Sequence, residues 1–321
     1  MKQALKLGCA ALVAFGLFVG AAQAKYPDKT ITIILPWSAG AGTDIQVRAL
    51  AKEAEQILGV DIVVTNKTGG GGAVGLTQGM TAKPNGYTVT TVSIPLSIIP
   101  HVQDVPDFFK YDAFKPVLRY NVAPGTITVR SDSQWKTFED FLSHAKAHPN
   151  ELKIGTAPPG GAFNLVTHRL LQTLGVEAKQ IGYKGSAPAV AALMGGHVEV
   201  TTFSPDSVLP QVKSGDFRVL AVLGKQRSAV LPDVPTLEEL GYPLEAGTWR
   251  GFSVPKDTPD DRVKVLHDAF KQAMDSKAIQ EQFEKMGVTT NYLGLAEFGE
   301  FMKQEYDVVG EVLEKIGMKK K

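Results

Sequence analysis

Three glycine-rich segments carry the clearest chemistry in this 321-residue sequence: PWSAGAGTD (Pro36 to Asp44), TNKTGGGGAVG (Thr65 to Gly75) and GTAPPGGAF (Gly155 to Phe163). Each follows a short apolar run typical of a strand and leads into a segment of helical period. Such a turn leaves backbone N–H groups unpaired at the positive end of a helix dipole, so it binds an anion without Lys or Arg. Three of them in one chain predict a shared site that holds both ends of a dianion.

Two enzyme classes compete for the same residues. Gly70, Gly72 and Gly75 complete G-x-G-x-x-G, but residues 90 to 95 contain no acid that would bind a ribose hydroxyl, so a dinucleotide cofactor is not expected. Ser38 lies on a strand-turn-helix segment similar to the nucleophile elbow of hydrolases. Pro36 replaces the first glycine of that motif, and proline cannot adopt its positive φ. A serine hydrolase using Ser38 is therefore the alternative to a ligand-contacting hydroxyl.

Ionisable residues near the turns indicate binding rather than catalysis. The histidines and acids show neither H-E-x-x-H nor EF-hand spacing, so no metal site is expected. His168 follows the third turn at helical spacing, where a capping or packing role is expected in preference to a catalytic one. Asp44 is placed to accept N–H groups at the start of a helix and to pair with Arg48. Lys184, in GYKGS, either reaches an anion or stays solvated.

The elements that must position these residues alternate along the chain. Short β-branched runs predict strands, and helical periods lie between most of them, which indicates an α/β protein with mostly parallel sheets. The predicted strands are Ile31 to Leu35, Ile62 to Val64, Val89 to Val92, Ile127 to Val129, Lys153 to Gly155, Val198 to Thr202 and Arg218 to Leu223. Helices are predicted over Asp44 to Leu58 and Leu295 to Ile316, and Thr137 with Asp140 predicts a capping box.

The first 24 residues have the pattern of a secretory signal, with Lys2 and Lys6 before an apolar stretch and Ala22-Gln23-Ala24 at its end. Cleavage would leave a mature chain beginning at Lys25 and remove Cys9, the single cysteine. Loss of two lysines changes the formal net charge from +1 to −1, so neither nucleic acid nor an anionic membrane surface is an expected partner. The mature protein is expected in the periplasm.

The order and spacing of several segments resemble the solute-binding receptors of tripartite tricarboxylate transporters, also called Bug receptors. The likeness spans the mature chain and rests on YPDKTITIILPWSAGAGTDIQVRAL, NKTGGGGAVG, KPNGYTV, GYKGSAPAVAALMGGHVEV, FRVLAVLGKQRSAVLPDVPTLEELGYP and WRGFSVPKDTP. The resemblance implies a two-lobe receptor, without catalysis or cofactor, that closes on a small carboxylate and delivers it to membrane permease subunits. A monomer is expected, and a sensory receptor for a membrane kinase remains an alternative.

By that resemblance, residues 25–122 with 250–321 form one lobe and residues 123–249 form the other. The ligand-binding residues would come from the turns of both lobes. They are Trp37, Ser38, Ala39, Gly40, Gly42, Thr43, Asp44, Gly70, Gly71, Gly72, Ser93, Thr156, Ala157, Gly160, Gly161, Ala162, Phe163, His168, Tyr183, Lys184, Gly185 and Phe203.

Three positions depart from the usual pattern of these receptors. The first turn contains Ser38-Ala39-Gly40-Ala41-Gly42 instead of proline and a glycine run, and the third contains Pro158-Pro159 instead of Gly and Ser. Phe203 stands where relatives often have a polar or acidic residue. A phenyl ring there disfavours a ligand amine, so dicarboxylates or aromatic acids are expected in preference to amino acids.

Overall fold

The computed structural model describes residues 26–320, except residues 38, 41, 158, 160 and 184. The predicted signal, Cys9 and the cleavage point before Lys25 lie outside these described residues. In chain order, the strands and α-helices are β1 (Ile31–Leu35), α1 (Gly42–Leu58), β2 (Ile62–Asn66), α2 (Ala73–Met80), β3 (Thr88–Ser93), α3 (Pro95–Val102), β4 (Phe114–Pro124), β5 (Thr126–Arg130), α4 (Phe138–Ala147), β6 (Lys153–Thr156), α5 (Ala162–Leu174), β7 (Lys179–Gly182), α6 (Ser186–Met194), β8 (Val200–Thr201), α7 (Pro205–Lys213), β9 (Phe217–Val222), β10 (Gly247–Pro255), α8 (Asp260–Asp275), α9 (Lys277–Lys285), β11 (Thr290–Leu293) and α10 (Leu295–Lys315).

The strands form two sheets. The first has six strands in the order β11-β4-β10-β3-β1-β2, and the second has five in the order β7-β6-β8-β5-β9. Each sheet has its own apolar core: α1 and α8 cover the first, and Phe141 with Leu170 lies in the core of the second. The predicted two-lobe α/β class is therefore confirmed.

Strand direction in both sheets is mixed rather than mostly parallel. β1 runs parallel to β2 and β3, and β6 runs parallel to β7 and β8. β10 is antiparallel to β3 and β4, β11 is antiparallel to β4, and β5 is antiparallel to β8 and β9. The antiparallel pairs arise at the strands that carry the chain between the sheets and back. The sequence reasoning missed β4 and β10, which are neighbours in the first sheet, as well as the edge strands β7 and β11.

Two crossovers connect the sheets and are bonded to each other through the backbone. β4 passes through Gly125 directly into β5, and the chain returns through Ala246 into β10. The Gly125 N–H donates to the Ala246 carbonyl (2.8 Å), Leu223 N–H to Gly125 carbonyl (2.8 Å) and Ala246 N–H to Leu223 carbonyl (2.9 Å). A Cβ at Gly247 would lie 2.3 Å from the Ala123 carbonyl oxygen, so the backbones pass too closely for a side chain there.

The predicted helix boundaries are close to those observed. Helix α10 covers nearly the whole predicted segment, and α4 begins with the predicted capping box, in which Thr137 and Asp140 bond each other's backbone N–H. Within the described part of the chain, no helix combines the length and apolar character needed to cross a membrane.

Candidate functional site

Six strand-to-helix connections reach the carboxyl edges of the two sheets. In the first sheet they are β1–α1, β2–α2 and β3–α3, and in the second they are β6–α5, β7–α6 and β8–α7. The three strands in each set are parallel, so their connections lie at one edge, where open α/β sheets bind ligands. Every predicted binding residue except His168 belongs to one of these connections, to the strand end before it or to the helix turn that follows it. Among them, Ser38, Gly160 and Lys184 lie outside the described residues.

Helices at these edges begin without a side-chain cap. Gly72, Gly161 and Gly185 precede α2, α5 and α6, and none supplies a capping group. By contrast, Thr137 caps α4 and Ser276 caps α9, away from these edges. The first N–H groups of a helix have no partner within the helix, and a Ser, Thr, Asp or Asn side chain at the N-cap commonly accepts a hydrogen bond from one of them. The edges therefore present helix starts that suit an anion.

The carboxylate of Asp44 holds the first turn in place. This residue is buried, with 3% of its surface exposed, and it accepts hydrogen bonds from Gly40 N–H (2.9 Å), the Arg48 Nε (3.0 Å) and Asn66 Nδ2 (3.0 Å). Asn66 also donates to the Trp37 carbonyl (2.8 Å). Asp44 thus fastens both the turn and the end of β2, and its carboxylate oxygens are engaged by groups of the protein itself.

Burial by itself would raise the pKa of Asp44. The hydrogen bonds from Arg48, Asn66 and Gly40 outweigh it, because each favours the ionised form, and the pKa falls to about 2. The carboxylate is therefore charged throughout the neutral range. Its charge is matched within the cluster by Arg48, which also donates to the Asn66 side-chain oxygen (2.8 Å).

Arg250 on β10 contacts the first turn, a contact that sequence reasoning missed. Its Nε donates to the Thr43 hydroxyl (2.8 Å), and its Nη1 lies 3.4 Å from the Asn121 side-chain oxygen. Asp206 also approaches this turn, and it lies at the start of α7, the helix that follows β8 of the second sheet. A Cβ on Gly42 would lie 4.0 Å from the Asp206 carboxylate. The only sequence signal was a lone arginine within the apolar segment WRGFSVP.

Replacing Arg250 with glutamine is expected to weaken ligand binding about tenfold, because a charged donor that positions Thr43 is lost. Thr43→Val should have a similar effect, since it removes the acceptor. Isothermal titration calorimetry on both variants measures this. Arg262→Gln is the matched control, because Arg262 bonds the Asn85 carbonyl away from the site. Equal loss in the control would refute a specific role for Arg250.

Glycine conformation shapes the second turn. Gly69, Gly70, Gly71 and Gly72 have φ values of 130°, 56°, 68° and 113°, which other residues rarely adopt. The turn packs directly on the first one, since a Cβ at Gly72 would lie 3.6 Å from Pro36 Cβ. The Gln103 side chain donates to the Gly70 carbonyl (3.3 Å). This turn therefore presents backbone rather than side chains.

Thr156 was predicted to contact the ligand, but its hydroxyl does not face the cleft. It is fully buried and donates to the Phe163 carbonyl (2.6 Å), while the Thr167 hydroxyl lies 3.1 Å away and also bonds that carbonyl. Thr167 continues to Thr202 (2.7 Å). Because its proton is used inside the lobe, Thr156 orients the first turn of α5 instead of binding a ligand.

Phe203 is also interior. It is 3% exposed, and its ring packs on that of Phe163 with 4.8 Å between centroids. An effect of Phe203 on a ligand therefore passes through Phe163, which is half-buried. Ser93 is 7% exposed at the end of β3, and Tyr183 lies beside Gly155 at the end of β6. His168 is half-buried well within α5, and burial lowers its pKa.

A cavity of about 570 Å³ lies between the second turn and the third. Gly71 lines it from the first sheet, and Gly161 and Ala162 line it from the second. Its remaining walls are largely apolar, and they are formed by Pro95, Ile98, Ile99, Val102, Gln103, Pro159 and Met318. This volume is within the range of small-molecule sites. Three or more His, Cys, Asp or Glu side chains that could together bind a metal are not found among the described residues.

Two α/β lobes with helix starts around a shared cavity define the class of solute-binding proteins with a periplasmic-binding-protein fold. The chain belongs to the family described as "Tripartite tricarboxylate transporter family receptor", whose model matches residues 46–318. This confirms the resemblance found in the sequence. The family is one of receptors rather than enzymes.

Individual relatives agree with this assignment. The chain is 34% identical to "UPF0065 protein in gbd 5'region" of Cupriavidus necator, over 97% of this chain and 95% of the relative. It is 30% identical to Protein BugT of Bordetella pertussis, over 87% and 88%. A TctC solute binding protein from Polaromonas, crystallised without ligand, has a TM-score of 0.80 at 32% identity and covers 90% of this chain and 99% of its own.

Proposed function

We propose that this chain is a periplasmic receptor that captures a small organic carboxylate between its lobes and delivers it to the membrane permease subunits of a tripartite tricarboxylate transporter. The observation that carries the proposal is the set of uncapped, glycine-preceded helix starts from both sheets, two of which border one cavity. A ligand with two carboxylates would engage N–H groups of both lobes at once.

Closure follows from this arrangement. The proposed lobes are residues 25–122 with 250–321, and residues 123–249. Two strands of the first sheet cross these limits slightly, because β4 ends at Pro124 and β10 begins at Gly247. A ligand that touches both lobes binds the closed state better than the open state, so it shifts the population toward closure. The closed form would then be the one presented to the permease.

The proposed ligand class is a dicarboxylate, a tricarboxylate or an aromatic acid. The apolar walls that include Ile98, Ile99 and Val102 suit a hydrocarbon body between charged ends. An amino acid would place its ammonium group against these walls without a partner, at a cost in free energy. The proposed binding residues are those of the six connections, with Asp44 and Thr156 acting through the backbone that they position.

The binding test uses the mature chain from Lys25 onward, titrated with mono-, di- and tricarboxylates, aromatic acids, amino acids and sugars. A ligand present at about 100 times its Kd adds about 2.7 kcal/mol to the folded state, so we expect Tm to rise by about 5 °C with one class of carboxylate. Calorimetry then gives the affinity.

Turnover of the compound separates this proposal from a Ser38 hydrolase. We expect wild type and Ser38→Ala both to leave the bound acid unchanged, with only weaker binding in the variant. Consumption of the acid by wild type and its loss in Ser38→Ala would refute the receptor proposal. Absence of a Tm shift with every acid would refute it as well.

A further inference from the structure

A second cavity, of about 320 Å³, lies beside the two crossovers and shares no lining residue with the cavity between the glycine turns. We call it the hinge cavity. Its charged lining comes from four parts of the chain: Arg119 on β4, Arg169 on α5, Lys225 and Glu245 in the segment returning to β10, and Glu305 on α10. Both lobes therefore contribute to it.

The acids of the hinge cavity are already engaged. Glu245 pairs with Lys225 at 3.5 Å, and Glu305 accepts a hydrogen bond from Trp249 Nε1 (3.1 Å). Burial raises the pKa of Glu305 above its usual value, while Arg169 and the Trp249 bond act against that rise.

The arginines form no direct ion pair with these acids. Arg119 is 7% exposed, donates to the backbone and side-chain oxygens of Asn291, and lies 4.5 Å over the Phe301 ring. Burial lowers its pKa to about 10, although Glu245 and Glu305 act on it at longer range and favour its charged form. Among the described residues, neither Arg119 nor the half-buried Arg169 has a carboxylate oxygen within 4 Å, whereas a buried cation such as Arg119 is ordinarily paired.

We propose that the hinge cavity binds a small organic carboxylate, with its charged end between Arg119 and Arg169 and its apolar body against Trp249 and Phe301. Arginine suits this task because its planar fork matches a carboxylate. The two arginines belong to different lobes, so an anion held by both favours the one lobe arrangement that brings them together. The cavity would act as an effector site, and this inference does not depend on the cargo of the main cleft.

The test uses the mature protein labelled with 5-fluorotryptophan. The sequence has three tryptophans, and they report three regions: Trp37 the first turn, Trp135 the core of the second sheet and Trp249 the hinge cavity. Single Trp→Phe variants assign the three ¹⁹F resonances. Butyrate is titrated at constant ionic strength, and we expect a saturable shift of the Trp249 resonance.

Arg169→Gln is expected to weaken this butyrate binding at least tenfold. Arg130→Gln is the matched control in the same proposed lobe, because Arg130 is half-buried, is paired with Asp132 and does not line the hinge cavity, and it should leave the affinity unchanged. Sulfate should bind more weakly than butyrate, since it has no apolar body for Trp249 and Phe301.

Three results would overturn the inference: no saturable shift at Trp249, a shift that Arg169→Gln leaves intact, or sulfate binding as tightly as butyrate. A shift confined to Trp37 would place butyrate in the main cleft and would also count against the hinge cavity. Failure of the proposed function would give a different result from failure of this inference: no tested carboxylate would shift the Trp37 resonance.

Discussion

Replacing Asp44 with asparagine is expected to weaken carboxylate binding about 10- to 100-fold while the protein stays folded at neutral pH. The charged group that holds Gly40 and Asn66 would be lost, and charge-assisted hydrogen bonds are worth about 1.5–3 kcal/mol. The N–H groups of the first turn would then no longer be fixed before the ligand arrives. Calorimetry with the carboxylate identified in the screen measures the effect.

The charge of the Asp44 carboxylate should also make the free energy of unfolding depend on pH. The folded pKa of Asp44 is about 2, below the value of about 3.9 in an unfolded chain. The stabilisation is therefore fully present above about pH 4 and is lost as the pH falls from about 4 to 2. Urea unfolding should show Asp44→Asn less stable than wild type at pH 7, with the difference shrinking toward pH 2.

Asp140→Asn is the matched control for this experiment. Asp140 also lies in the first turn of a helix and also accepts backbone N–H bonds, from Lys136 and Thr137, but it is remote from the cleft. It should lower stability without changing ligand affinity. Unchanged affinity in Asp44→Asn, or equal loss in both variants, would show that the first turn does not depend on Asp44.

Replacing Gly251 with alanine is expected to destabilise the fold by about 3 kcal/mol, near the upper end of what overpacking costs. A Cβ there would lie 2.4 Å from the Phe298 ring and 2.6 Å from the Leu118 carbonyl oxygen, in the centre of the first sheet. The ring is fully buried and the carbonyl is backbone, so neither has space to move. Urea denaturation gives the change in the free energy of unfolding.

Gly299→Ala is the matched control, because it makes the same chemical change at a position where a Cβ has space. Gly299 lies within α10, and its Cβ would meet Pro116 at 3.4 Å, an ordinary contact. Because alanine favours helices over glycine by up to about 1 kcal/mol, this variant should be neutral or more stable. A Gly251→Ala protein as stable as Gly299→Ala would contradict the close approach of α10 to β10.

Local sequence signals located the glycine-rich helix starts but not strands β4 and β10 of the first sheet. The glycine-rich turns are visible because their residue type is the structural cause. Strand β4, with Pro116, Arg119 and Asn121, lacks an uninterrupted apolar pattern. Such polar side chains bond partners far away in the sequence, as Arg119 bonds Asn291. A local sequence pattern does not indicate these partners.

Within the turns, the sequence predicted which segments join strands to helices but not which way each side chain points. Thr156 and Phe203 both lie at such junctions, yet both are interior. A hydroxyl at a strand end can donate into the lobe or out of it, and here the Phe163 carbonyl decides the direction for Thr156. Arg250 was missed for the related reason that its partner Thr43 is 207 residues away.

The bonds among Gly125, Leu223 and Ala246 at the crossovers use backbone atoms alone. Every amino acid other than proline carries the same backbone donor and acceptor, so substitutions at Leu223 and Ala246 that fit the apolar core leave these bonds intact. In the proposed function, ligand specificity resides in the loops before the helices. Duplicates of such a receptor could then diverge in cargo through substitutions in these loops, while the bonds at the crossovers stay the same.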